Sequence, residues 1–86
     1  MDKNWLLDHE DSYRYSLLDR LRCDCLYFLG NGNRYGKQLW AGNVPDHIEA
    51  MKILWNSFSP KMKPEWLSWE DILKFESEMA DNENNM

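Results

Sequence analysis

Several features that would announce a function outright are missing from this chain. No apolar run is long enough for a signal sequence or a membrane span, so the expected location is the cytoplasm. Only two cysteines occur, Cys23 and Cys25, and one intervening residue is a poor spacing for an unstrained disulfide on a helix. They are expected to be reduced thiols. No segment repeats internally. Positive charge is not in excess: the formal net charge is −5. That disfavours direct nucleic-acid binding, because neutralisation of phosphates by Lys and Arg supplies most of such affinity. A basic protein surface is the better match. A catalytic set is missing too. Ser16 or Cys23 would need a positioned base, and the two histidines, His9 and His47, lie in different segments with no motif around either. The expectation is therefore a protein that is not an enzyme.

What is present suffices for one small core. A chain of 86 residues closes a single hydrophobic core. Trp5, Trp40, Trp55, Trp66 and Trp69 each offer a large area to bury. Charge is unevenly spread. In Met1–Asp11, four acids (Asp2, Asp8, Glu10, Asp11) stand against Lys3. In Ser12–Ala41, Arg14, Arg20, Arg22, Arg34 and Lys37 stand against Asp19 and Asp24, and the remainder is acidic.

Taken in order, residues 1–11 form an arm with a short apolar patch, Trp5 to Leu7, that docks on the body. Asp11 or Ser12 can cap a first helix running to about Leu29. Leu17, Leu18, Leu21, Cys25, Phe28 and Leu29 fall on one face of it. Gly30 ends this helix, and the following NGNR offers residues that tolerate positive φ, so the loop after it is expected to be ordered and rich in Gly and Asn. Leu39 and Trp40 would plug that loop into the core. Asn43 and Asp46 have capping-box spacing with Pro45 in the first turn. Val44, Ile48, Met51, Leu54, Trp55 and Phe58 then give the cleanest amphipathic pattern in the chain, stopped by Pro60. Ser68 and Asp71 form a second capping box, with Leu67 and Ile72 as a hydrophobic staple. The third helix, from Trp69 to about Met79, should bury Trp69, Ile72, Leu73, Phe75 and Met79 in part and leave Glu70, Asp71, Glu76 and Glu78 in solvent. The expectation is an all-α, three-helix domain over 12–79, followed by a disordered acidic tail over 80–86.

Three constellations bear on chemistry. The string GNGNRYGK lacks the spacing of a phosphate-binding loop, and Gln38 stands where Ser or Thr would hold magnesium, so a helix cap and turn is the better reading. Cys25, His47, Cys23 and His9 supply thiolate and imidazole of the kind zinc binds, although residues two apart on a helix point about 200° away from one another. A zinc-stabilised module is thus one alternative, while Cys25 by itself is by default a small core residue. The acids Glu70, Asp71, Glu76 and Glu78, with Asp8, Glu10 and Asp11 of the arm, are by default a solvated face. Their functional reading is a lure for a basic groove, where complementary charge speeds association.

YRYSLLDRLRCDCLYFLGNGNR, LWAGN, HIEAMKILWNSF and KPEWLSWEDI together resemble the large polyvalent protein-associated domain of the eleventh class, across about Tyr13 to Met79. The matching positions are Leu18, Asp19, Leu21, Asp24, Cys25, Tyr27, Leu29, Gly30, Gly32, Asn33 and Arg34, then Leu39, Trp40 and Ala41, then Met51 and Trp55, and last Pro64, Glu65, Trp66 and Leu67. Among these, Asp24, Arg34 and Trp40 are the most distinctive, with Arg34 placed to pair with Asp24. The resemblance implies a phage or mobile-element protein that blunts host defences, with no catalytic mechanism to carry over. The domain is expected to stand alone, a departure from the large multidomain architecture. The expectation that follows is a non-enzymatic counter-defence protein, an anti-CRISPR that binds a host CRISPR nuclease with a basic groove in the bacterial cytoplasm. An accessory that binds nucleic acid through Arg14, Arg20, Arg22, Arg34 and Lys37 is the other alternative.

Overall fold

The computed structural model describes residues 6–30 and 39–82, with the backbone alone at 81 and 82. Among these residues the protein is all-α. Helix α1 spans Asp11–Gly30, α2 spans Val44–Asn56 and α3 spans Trp69–Asn82, with a 3-10 turn at Pro60–Met62. The anticipated Gly/Asn loop, Asn31 to Gln38, lies outside the described residues, as do Met1 to Trp5 and residues 83–86. Gly30 itself is helical, and among the described residues the glycine with positive φ is Gly42 (84°). There the Gly42 N–H donates to the Leu39 carbonyl at 2.9 Å and closes the turn that precedes α2.

Helix α1 buries Leu17, Leu18, Leu21, Cys25 and Phe28, the stripe expected from the three- and four-residue spacing. Helix α2 buries Val44, Ile48, Met51 and Leu54 as expected, and adds His47 and Ala50. Leu6, Leu39, Phe58 and Leu67 enter the same core from outside these helices. Helix α2 packs on both neighbours, most extensively on α3.

The Ser68 capping box closes in both directions. At Asn43 only the forward half forms, because Asp46 Oδ2 accepts from Asn43 Nδ2 at 3.0 Å instead of from the backbone N–H. The Asn43 side chain accepts from the Asp46 N–H at 2.9 Å, and Ser68 Oγ accepts from the Asp71 N–H at 3.0 Å while Asp71 Oδ2 accepts from the Ser68 N–H at 3.0 Å. Each satisfies backbone donors that a helix start leaves open. Ser68→Ala is expected to cost about 1 kcal/mol, a fall of about 5 °C in the unfolding midpoint of a domain this size, measured by far-UV circular dichroism.

Three expectations are corrected. Helix α2 is not stopped by Pro60: it ends at Asn56, where the Ser57 N–H closes onto the Ile53 and Leu54 carbonyls and Lys63 Nζ donates to the carbonyls of Trp55 (2.9 Å) and Phe58 (2.6 Å). A cation there also opposes the partial negative charge of the helix end. Leu73 is exposed (41%), because it sits about 100° round the helix from the buried Ile72. Glu76 is not simply solvated: both of its oxygens accept from Lys52 Nζ, at 3.0 and 2.9 Å, tying α3 to α2. Glu78 is also partly covered and lies 4.0 Å from Lys74.

The connector between α2 and α3 is pinned by side chains. Trp55 Nε1 donates to the Leu67 carbonyl at 2.9 Å. Tyr15 stacks on Phe58, with ring centroids 4.1 Å apart, and its hydroxyl donates to the Met62 carbonyl.

Candidate functional site

The cysteines and histidines occupy four different settings. Cys25 is fully buried, and its thiol meets Met51 Sδ at 3.5 Å. Burial, aided by the negative charge of Asp24, pushes this thiol up to about 12. Cys23 is exposed on the other side of α1. His47 is buried between α1 and α2, where Nε2–H donates to the Leu21 carbonyl at 2.9 Å. A carbonyl can only accept, so the proton is on Nε2 and Nδ1 carries the lone pair. That Nδ1 is buried without a partner. Burial lowers the His47 pKa, while the Leu21 hydrogen bond and Asp24 pull it back up. His9 stacks on Tyr13 at 4.4 Å. Among the described residues no three His, Cys, Asp or Glu side chains converge as a metal-binding group.

The two thiols should react very differently. A shift from 9.0 to about 12 reduces the thiolate fraction about a thousandfold at neutral pH. One equivalent of a thiol reagent is expected to react promptly at Cys23, and the second only after denaturant is added. Two equally fast equivalents in native buffer would contradict the buried placement of Cys25.

Asp24 organises the return of the chain after α1. Its Oδ2 accepts the Trp40 N–H at 3.1 Å, and Arg20 Nε lies 3.8 Å from its other oxygen. Arg34, the anticipated partner, lies outside the described residues, together with Gly32, Asn33 and Lys37. Two arginines of α1 are engaged within the fold. Arg14 pairs with Asp11 and covers Phe58 at 5.0 Å, and Arg22 pairs with Asp19 at 2.7 Å and covers Trp66 at 5.6 Å. The Asp19 hydrogen bond raises the Arg22 pKa, so its charge is held. Arg20 keeps most of its side chain in solvent.

The acids divide in the same way. Asp71 is committed to its cap, Asp11 to Arg14 and Glu76 to Lys52. Asp8, Glu10, Glu49 and Glu70 are exposed and make no ion pair among the described residues. One of these, Glu49, lines an open groove of about 450 Å³ together with Leu7, Lys52, Ile53, Asn56 and Trp69. The expectation for the acidic positions did not include Glu49. Its spacing with Lys52, Ile53 and Asn56 on one helical face was readable, but the walls, Leu7 and Trp69, come from distant segments.

The model of the family Large polyvalent protein-associated domain 11 matches residues 11–79. The chain belongs to this family. No curated protein and no solved structure matches it. In this polyvalent protein-associated domain, the matching positions that the structure describes are largely architectural. Asp24 fastens the turn at Trp40, Cys25 and Met51 join α1 to α2, and Trp55 holds the Leu67 carbonyl before α3. Trp66, by contrast, is half-exposed beneath the Arg22 guanidinium.

Proposed function

We propose that the chain is a counter-defence protein of a phage or other mobile element, working in the bacterial cytoplasm without catalysis. Its sharpest form is an anti-CRISPR inhibitor that binds a host CRISPR nuclease and blocks nucleic-acid loading or activity. The family match over residues 11–79 carries the reading, through the mobile-element setting which that family implies. The uncommitted acids support the mode of binding. Asp8, Glu10 and Glu70 are exposed without ion pairs among the described residues, so their charge is available to a cationic groove built for a polyanion.

The test is an in vitro cleavage assay with a purified CRISPR nuclease, its guide and target. Inhibition is expected to saturate near one equivalent of the protein and to weaken as salt rises. Reversal of Asp8, Glu10 and Glu70 to lysine is expected to weaken binding about tenfold or more, mainly through slower association. Asp71 and Glu76 are unsuitable for reversal because they hold the fold. Complete inhibition far below one equivalent would overturn the non-catalytic part, and unchanged affinity after charge reversal would overturn the electrostatic part.

A further inference from the structure

We infer that the groove between Leu7, α2 and Trp69 is the docking socket for a short apolar segment carrying arginine or lysine on the partner protein. The inference deepens the proposed function and rests on it for the partner's identity. Helix α2 turns one face to the core, through Ile48, Met51 and Leu54, and a second face, Glu49, Lys52, Ile53 and Asn56, to the groove. From Glu49 to Ser57 the trough runs about 12 Å, enough for roughly two helical turns of a partner. Its floor is apolar, with Ile53 and Trp69 half-buried and Leu7 still 37% exposed.

Charge selects the occupant. Lys52, the cation in the lining, is held by both oxygens of Glu76 and lies 6.0 Å above the Trp69 ring, so it brings no net positive charge. Glu49 lines the groove and makes no ion pair among the described residues, so the uncompensated charge of the lining is negative. A purely apolar segment would leave this carboxylate facing it, and an acidic one would be repelled. A segment with both apolar and cationic side chains satisfies floor and rim together.

The ¹⁵N-labelled full chain is titrated with a short leucine–arginine peptide blocked at both ends, followed by NMR, in parallel with the same peptide carrying citrulline in place of arginine. Shifts are expected to cluster on residues 49–57 and on the Trp69 indole. Affinity should fall about tenfold, or about 1.4 kcal/mol, on changing arginine to citrulline or on introducing Glu49→Gln. Trp66→Ala should leave it unchanged. Shifts centred on Trp66 and Leu26, equal affinity for the citrulline peptide, or no binding at millimolar peptide would overturn the inference. So would two other occupants: self-association of the free protein through these same residues, or binding that appears only after Met1 to Trp5 are removed. No nuclease enters this experiment, so its failure leaves the counter-defence reading standing, and failure of the cleavage assay leaves the socket standing.

Discussion

Leu54→Ala is expected to lower stability by about 3 kcal/mol and the thermal midpoint by about 15 °C. Leu54 is fully buried on α2, which packs more extensively on the other two helices than they do on each other. Truncation removes the transfer free energy of the lost carbons and leaves a cavity that two flanking helices cannot both collapse into. In a domain of this size the loss is a large share of the total, so much of the variant should be unfolded at 37 °C. Leu73→Ala provides the contrast. At 41% exposure it should change stability by less than about 0.5 kcal/mol. Thermal unfolding by circular dichroism distinguishes them, and a similar loss in both would mean that α3 is rotated from the orientation described.

Mild acid should be the second strong perturbation, acting through His47. The folded chain holds this imidazole neutral because burial penalises the cation, and Nδ1 has no acceptor to receive a proton's hydrogen bond. The unfolded chain takes up that proton near pH 6.5. Below this pH the unfolded state binds more protons than the folded one, so unfolding free energy falls as pH falls. The loss runs at up to about 1.4 kcal/mol per pH unit and levels off below the lowered folded-state value. Above the unfolded value the His47 contribution is fully present. Asp24 lies near enough to moderate the effect, as does the Leu21 carbonyl. His47→Gln keeps a donor for that carbonyl but cannot titrate. Urea unfolding at pH 7, 6 and 5 should show a flatter dependence in this variant, and identical slopes would refute the buried neutral histidine.

The stripe on α1, the pattern on α2 and the two N-terminal caps, Asn43 and Ser68, were legible because each depends on residues within four positions of one another. Periodicity and side-chain-to-backbone capping are local, and local rules can be read from local sequence. The corrected features share the opposite property. Whether α2 ends at Asn56 or runs on to Pro60 depends on Lys63 reaching back to the Trp55 and Phe58 carbonyls. Whether Glu76 is a free surface charge depends on Lys52, 24 positions away. Leu73 is apolar, but only the packing orientation of α3 decides that Ile72 and Met79 take the inner side.

The candidate site follows the same division. Composition, net charge and the family motifs along α1 and before α3 determined by themselves that this is a small all-α domain of the polyvalent-protein family, with acids to spare. They could not say which acids are spent. Only the tertiary structure separates Asp71, Asp11 and Glu76, each already partnered, from the exposed Asp8 and Glu70 and from Glu49 in the groove. Only it shows that His47 is buried and braced against the Leu21 carbonyl. The reason is physical: helix formation is decided by neighbours in sequence, whereas burial and charge pairing are decided by neighbours in space, which the chain acquires only once its helices pack.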